Sequence, residues 1–267
     1  MTPVGLQSYS LFHPEDSTRR PAALLFHGVS GSIEELHDLA RHLHERNFDV
    51  YLPMLTGHGT DIRELARVPA SRFIADAEDA FNVLKARDPS AIVVIGLSFG
   101  SILALYITGT HSREIDALVI LSMPVRIRSQ LKQWALFGLS FLPDSLLNRL
   151  GIVPKAKRDH VAFASARVAY DAHSIGSLAR LEHIRREAFR RAENVRCPVL
   201  ALQDPNDHHL RSEGMEILGR KLHHTSFTAE WVPGGEHELS MGPEQAAVFQ
   251  HIDEFIGRAL RTQTDRH

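Results

Sequence analysis

Runs of consecutive apolar residues alternate along the chain with longer stretches in which apolar residues recur every three or four positions. An uninterrupted apolar run is typical of a parallel strand buried on both faces, whereas the wider spacing is typical of an amphipathic helix. In the first half of the chain, the runs predict strands at 6–12, 22–26, 48–52, 91–95 and 117–121. Helices are predicted between them, including one over 71–86 and one that a Ser-x-x-Glu capping box opens at Ser32.

The alternation breaks between residues 123 and 193, where the spacing is helical and no convincing strand is visible. It resumes with predicted strands at 198–203 and 226–232 and predicted helices at 213–220 and 244–260. Strands that alternate with helices predict an α/β fold, in which a mostly parallel sheet carries helices on both faces. We therefore expect one sheet domain with a helical insertion. Such an insertion would cover the carboxyl ends of the strands, where ligands bind in open parallel sheets.

Composition excludes several classes of function. The 267 residues carry a net charge of −2, which gives no electrostatic reason to expect nucleic acid as a partner. The single cysteine, Cys197, excludes an internal disulfide, and its apolar neighbours predict a buried structural thiol. The sequence shows neither a signal peptide nor a run of about 20 apolar residues that could span a membrane. We therefore expect a cytoplasmic protein and leave peripheral contact with lipid open.

The first candidate for chemistry is the pentapeptide Gly96-Leu97-Ser98-Phe99-Gly100, which stands between a predicted strand and a predicted helix. A glycine two positions away on each side of the serine allows the strand and the helix to approach closely through a tight turn. Such a turn strains the serine backbone and exposes the hydroxyl at the tip of the sheet. Ser98 is therefore predicted to be the nucleophile of an acyl-transfer reaction.

A serine hydroxyl reacts only when a base accepts its proton and an acid orients that base. His237 follows a predicted strand in the segment Gly-Gly-Glu-His-Glu, while Asp204 and Asp207 both follow another strand in Gln-Asp-Pro-Asn-Asp. The order serine, aspartate, histidine along the chain is that of the α/β-hydrolase arrangement. These residues predict a catalytic triad of Ser98, His237 and one of the two aspartates.

With these motifs, the chain resembles the α/β-hydrolases, and within them the small bacterial carboxylesterases and monoacylglycerol lipases. The resemblance spans nearly the whole chain. It rests on the segments 27–31 (His-Gly-Val-Ser-Gly) and 53–59 (Pro-Met-Leu-Thr-Gly-His-Gly), on the serine turn, and on the acid and histidine loops. It implies an α/β-hydrolase core at residues 1–122 and 194–267. It also implies a small helical lid inserted after the sixth major strand, residues 123–193, which we call the lid segment.

The resemblance also implies roles for individual residues. It favours Asp207 over Asp204 as the triad acid, because Asp207 stands at the family's acid position. It implies that the backbone N–H groups of Val29 and Phe99 form the oxyanion hole, and that the substrate is a small-molecule acyl ester that reacts without a cofactor. Paired histidines elsewhere lack the spacing and companion ligands of a zinc site, so no metal is expected. The oligomeric state stays open.

The lid segment carries residues expected to influence substrate choice. Trp134, Phe137, Phe141 and Leu142 are predicted to bind an acyl chain, to pack the lid onto the core, or to do both. A basic run near the end of the lid, at Arg185, Arg186, Arg190 and Arg191, is expected to be a solvated helix face.

The leading hypothesis is a carboxylic ester hydrolase that forms an acyl-enzyme intermediate on medium-chain esters or monoacylglycerols. Three alternatives stay open at this point. Two keep the triad, namely an acyl thioesterase and a hydrolase of carbon–carbon bonds. The third is a non-catalytic ligand-binding homologue, because a fold alone does not determine function.

Overall fold

The structure of the protein is a computed structural model that describes residues 7–14, 18–154 and 170–264. Strands and α-helices in this part of the chain are numbered in chain order. The strands are β1 (Tyr9–Leu11), β2 (Ala22–Phe26), β3 (Asp49–Leu52), β4 (Ile92–Leu97), β5 (Ala117–Leu121), β6 (Ile152–Pro154), β7 (Ala172–Ser174), β8 (Val199–Gln203) and β9 (Phe227–Trp231). The α-helices are α1 (His37–His44), α2 (Ile62–Leu65), α3 (Ala70–Lys85), α4 (Phe99–Thr110), α5 (Gln130–Leu139), α6 (Asp144–Leu147), α7 (Ile175–Arg191), α8 (Glu213–Lys221) and α9 (Gln245–Thr264).

Seven of the strands form one sheet in the order β1-β3-β2-β4-β5-β8-β9. At one edge β1 pairs antiparallel with β3, and all other neighbours in this sheet are parallel. Every residue of β2, β4, β5 and β8 is buried, as uninterrupted apolar runs predict for strands covered on both faces. The prediction of an α/β fold with a mostly parallel sheet is confirmed.

Helices cover both faces of this sheet. On one face pack α3, α4, α7 and α8, and on the other pack α1 and α9. Successive residues of a strand point to opposite sides, so Leu24 belongs to the first core and Leu25 to the second. The register aligns the ends of the central strands, with Phe26 opposite Gly96 and Leu97 opposite Leu121. The loops that leave β2, β4 and β5 therefore emerge together at one edge.

The lid segment follows β5, the fifth strand of the described residues, rather than a sixth. The segment holds α5, α6 and α7, and also a two-stranded antiparallel sheet of β6 and β7, although the sequence predicted no strand there. Each of these strands has only three residues, too few for an alternating pattern. Residues 155–169 of the predicted lid lie outside the described residues.

Helix α7 attaches the lid segment to the core. It packs along α4 so closely that a Cβ added at Gly109 would stand 2.4 Å from the backbone oxygen of Arg191. The buried Arg180 donates to the carboxylate of Asp144 within the lid and to the carbonyl of Ala66 in the core. By contrast, α5, which the structure describes in full, has no buried residue.

Candidate active site

Ser98 occupies a sharp turn between the end of β4 and the start of α4. Its backbone φ is 52°, in the left-handed region that residues with a side chain rarely adopt. Both flanking glycines are sterically required. A Cβ at Gly100 would stand 1.9 Å from the carbonyl oxygen of Phe26, and one at Gly96 would stand 2.3 Å from that of Gly100. The turn therefore projects the Ser98 hydroxyl from the carboxyl edge of the sheet.

A series of hydrogen bonds joins Ser98 to residues of two other loops. The Nε2 atom of His237, in the loop after β9, lies 2.9 Å from Ser98 Oγ. The Nδ1 atom of His237 lies 2.7 Å from Oδ2 of Asp207, in the loop after β8. Oδ1 of Asp207 accepts bonds from the backbone N–H groups of His209 and Leu210. An ionised carboxylate only accepts, so Nδ1 carries the proton, and Nε2 is left able to accept the serine proton.

Asp204, the other candidate acid, bonds only backbone groups among its contacts in the described residues. Its Oδ1 accepts from the N–H of Asn206 at 2.8 Å, and its Oδ2 accepts from the N–H of Glu236 at 2.9 Å. Glu236 has a φ of 58°, so this second bond also stabilises a strained position just before the histidine. Asp204 thus holds the acid loop and the histidine loop together, while Asp207 contacts the imidazole.

The electrostatic surroundings of the imidazole favour its protonated form. Burial by itself lowers the pKa of His237, but the Asp207 carboxylate outweighs it, and the pKa is raised above its ordinary value of 6.5. The negative charges of Glu238 and Glu35 add to the increase. Burial would raise the pKa of Asp207, yet the positive charge of His237 and the hydrogen bonds to the carboxylate hold it below 3.8. Asp207 is therefore ionised at neutral pH.

The loop after β2 carries the His-Gly motif and is held by buried polar side chains. Nε2 of His27 accepts a backbone N–H, so its Nδ1 donates to the carbonyl of Gly28, 2.9 Å away. His58 is buried, which lowers its pKa, and its Nε2 lies 2.8 Å from the carbonyl oxygen of Val29. Glu35 is also buried and accepts a bond from the N–H of Gly28 at 2.6 Å. These contacts fix the peptide groups of the loop.

A cavity of about 180 Å³ opens beside Ser98. Its apolar walls come from the loop after β2 and from α4, α5 and α7, and include Val29, Phe99, Ile102, Leu136, Leu178 and Leu181. Polar side chains from both core and lid also line it, among them Glu35, Gln133, Glu182, Arg185, His209 and Glu238. A mainly apolar cleft with a few polar groups suits a small ligand with an apolar part.

The four lid residues predicted to bind the acyl chain do not line this cavity. Trp134, Phe137, Phe141 and Leu142 are instead exposed, from 37% at Leu142 to 67% at Trp134. On α5 the cavity is lined by Gln133 and Leu136, three positions apart, whereas Phe141 and Leu142 follow the end of that helix. The apolar contribution of α5 to the cavity is therefore corrected to Leu136.

The expectation that Arg185 lies on a solvated helix face is also corrected. Its side chain is 16% exposed, lines the cavity and makes two hydrogen bonds to Glu182. The sequence carries a signal that could have found this wall: Leu178, Leu181, Glu182 and Arg185 follow the i, i+3, i+4, i+7 spacing of one helix face. Arg190, at 61% exposure, does match the expectation.

Comparison with known proteins places the chain in a family. A family model described as "Serine aminopeptidase, S33" matches residues 17–244, which is most of the chain and includes Ser98, Asp207 and His237. The chain belongs to this family. It is a serine hydrolase of the α/β-hydrolase class, as the sequence motifs predicted.

Individual relatives agree with this placement. A thermostable monoacylglycerol lipase of Bacillus sp. (strain H-257) is 25% identical over 238 residues, which cover 88% of this chain and 90% of the relative. The structure reported for the metagenome-derived lipolytic enzymes LipS and LipT has a TM-score of 0.81 at 23% identity and covers 96% of this chain and 98% of that chain. The monoacylglycerol lipase of Paleococcus ferrophilus has a TM-score of 0.71 at 17% identity, covering 93% and 97% respectively. The α/β-hydrolase fold is thereby confirmed.

Two other groups of side chains bear on the chemistry. Cys197 is buried, as predicted, and burial raises the pKa of its thiol to about 12, so it is not a nucleophile at neutral pH. Within the described residues, no group of three or more histidine, cysteine, aspartate or glutamate side chains is arranged to hold a metal ion.

Proposed function

We propose that this serine hydrolase cleaves carboxylic esters with a medium-length acyl chain, monoacylglycerols among them. The observation that carries the proposal is the hydrogen-bonded series of Ser98, His237 and Asp207, with distances of 2.9 and 2.7 Å, beside a mainly apolar cavity. The 25% identity to a monoacylglycerol lipase supports the ester class. Apolar walls support an acyl chain, because burial stabilises each methylene by about 0.8 kcal/mol.

In the proposed reaction, Ser98 Oγ attacks the ester carbonyl carbon while Nε2 of His237 accepts the hydroxyl proton. Asp207 stabilises the imidazolium that forms. The tetrahedral oxyanion then collapses and expels the alcohol, which takes the proton from Nε2. A water molecule next gives a proton to His237 and attacks the acyl-enzyme. The carboxylic acid leaves as Ser98 regains its proton, and the enzyme returns to its starting state.

The backbone N–H groups of Val29 and Phe99 are the proposed oxyanion hole. Phe99 is the first residue of α4, where a helix provides no internal acceptor for the N–H. The Val29 N–H shares a peptide plane with the carbonyl of Gly28, and the two point in opposite directions. The bond from His27 to that carbonyl therefore also orients the Val29 N–H. Loss of one such donor typically lowers kcat by about 10²–10³-fold.

We further propose that the lid segment, residues 123–193, covers the active site and contacts lipid through its outer surface. Trp134, Phe137 and Phe141 form a row of edge-to-face ring pairs with centroids 6.4 and 5.2 Å apart, and Leu131 beside them is 81% exposed. Contiguous exposed apolar side chains mark interaction sites. In the part of the chain that the structure describes, no helix is long and apolar enough to cross a bilayer. The cytoplasmic location stays a prediction.

The reaction is tested with matched ester and thioester series, from short to long acyl chains, and with Ser98→Ala as the control. We expect ester rates that peak at intermediate length and fall by about 10⁴-fold or more in the variant. A preference for thioesters would change the proposed substrate class. Activity restricted to a carbon–carbon substrate or to an aminoacyl anilide, or activity independent of Ser98, would contradict the proposal.

The lipid contact is tested separately by flotation with phosphatidylcholine vesicles. The double variant Trp134→Ser/Phe141→Ser should lose vesicle binding while it keeps its rate on a soluble short-chain ester. Val83→Ser on α3 is a matched control, because Val83 is 41% exposed and lies outside the lid segment. Equal flotation of all three proteins would refute the contact.

A further inference from the structure

Glu182 and Arg185 form an ion pair inside the active-site cavity. The Nε atom of Arg185 donates to Glu182 Oε2 at 2.8 Å, and Nη2 donates to Oε1 at 2.5 Å. The two side chains are only 16% and 8% exposed, and both line the cavity. A two-point contact between a guanidinium and a carboxylate is strong and fixes the orientation of both groups.

Arg185 lies at the end of the cavity face of α7 that is farther from Ser98. The contact of Arg191 with Gly109 places Arg185 level with Leu103 of α4, about 7 Å beyond Ser98 along the helix axis, and Glu182 level with Gly100. The cavity face of α7 begins with Leu178 and ends with Arg185, seven residues or about 10 Å farther along the helix. Beyond that point Arg191 packs against Gly109, near the end of α4, whereas Ser98 immediately precedes the start of α4. The part of the wall that α7 provides therefore changes along the helix from apolar, at Leu178 and Leu181, to charged, at Glu182 and Arg185.

The side of Arg185 that faces away from the cavity borders the molecular surface. It contributes to an outer groove on the surface of the molecule, which we define by Arg186, Phe189, Arg190 and Lys221. Its guanidinium lies 5.3 Å from the centre of the Phe189 ring. The ion pair thus separates the active-site cavity from the outer groove.

We propose that the Glu182–Arg185 pair closes the distal end of the acyl cavity and sets the upper limit of acyl-chain length. The inference rests on the proposed ester hydrolysis. Each methylene that contacts apolar walls should raise kcat/KM by about fourfold. A methylene that reaches the pair gains nothing, because it would have to displace or desolvate two paired charges. The value of kcat/KM should therefore rise steadily with acyl-chain length and stop rising abruptly at one length.

The test compares the wild type with the double variant Glu182→Met/Arg185→Met on p-nitrophenyl esters from butanoate to hexadecanoate. The double variant removes both charges together and so leaves no unpaired buried charge. We expect its optimum to move to longer chains, with kcat/KM for the first esters beyond the wild-type limit increased by about tenfold or more. Arg190→Met is the matched control, because Arg190 also pairs with a glutamate three positions before it but lines the outer groove and not the cavity, and its profile should not change.

An unchanged profile in an active double variant would overturn the inference while leaving ester hydrolysis intact. Absence of Ser98-dependent ester turnover in the wild type would instead refute the proposed function. A second measurement does not depend on the folding of the double variant. In Ser98→Ala, the affinity for free fatty acids should stop increasing at the chain length where wild-type kcat/KM peaks. An affinity that keeps rising by about fourfold per methylene past that length would also overturn the inference.

Discussion

Replacement of Asp207 by asparagine should disable the base without disturbing the fold. Oδ1 of Asp207 accepts two backbone N–H groups, from His209 at 2.7 Å and from Leu210 at 3.0 Å. In Asp207→Asn only the amide oxygen can accept these bonds, so the NH₂ group must face Nδ1 of His237. Nδ1 then has to accept, the ring proton moves to Nε2, and Nε2 can no longer take the proton of Ser98.

The size of the effect follows from the same contacts. The flipped amide would leave two buried N–H groups unpaired, at a cost of about 1–3 kcal/mol each, so the inactive tautomer dominates. A wrong tautomer in a triad of this kind lowers kcat by about 10⁴-fold, which corresponds to about 5.4 kcal/mol. Asp204→Asn is the matched control. It loses one of two backbone bonds and should be destabilised by about 1–3 kcal/mol with little change in kcat.

The assay measures kcat on a soluble ester for both variants and their unfolding in urea. Asp207→Asn should be almost inactive under conditions in which it is fully folded, whereas Asp204→Asn should unfold at a lower urea concentration than the wild type and keep nearly the wild-type kcat. Retention of more than about a tenth of wild-type kcat by Asp207→Asn, together with an inactive Asp204→Asn, would refute the argument from tautomers and identify Asp204 as the acid.

Three further outcomes are expected. Because the pKa of His237 is raised, kcat/KM should fall on acidification through a pKa above 6.5. Glu238→Gln removes a nearby negative charge and should move the acidic limb of the pH profile to lower pH. An acidic limb at the same pH in the variant would contradict the electrostatic argument. In thermal denaturation, Gly100→Ala should lower the free energy of unfolding by about 3 kcal/mol or more. Gly138→Ala is the control, because no atom lies within 4 Å of the added Cβ, and it should leave the free energy of unfolding unchanged or raise it by up to about 1 kcal/mol. Cys197, buried with a thiol pKa of about 12, should neither react with iodoacetamide nor allow the native enzyme to be inactivated by it; rapid labelling would show that this region opens.

The sequence was most informative where one local pattern determines one local structure. Continuous apolar runs located the central strands, because every side chain of a strand buried on both faces lies in the interior and is therefore apolar. The turn at Ser98 was equally predictable, since only glycine fits where Gly96 and Gly100 approach neighbouring backbone.

Contacts between distant segments were harder to predict from the sequence. The carboxyl group of Glu35 acts on His237 through space, and its position depends on the assembled loops rather than on any motif. Short strands such as β6 and β7 are formed by pairing with each other, so three residues carry no readable pattern. The orientation of α5 depends on how it packs against α7, and for this reason the sequence could not tell which of Leu136 and Phe137 faces the cavity.

The absence of buried residues in α5 has an evolutionary consequence. A helix that contributes Gln133 and Leu136 to the cavity but nothing to the interior can accumulate substitutions with little effect on folding. Helix α7 lacks this freedom, because its cavity face and its core face belong to the same few turns. Substitutions that change the substrate range should therefore accumulate in α5 before they accumulate in α7. A library of variants restricted to α5 should retain a high fraction of folded proteins.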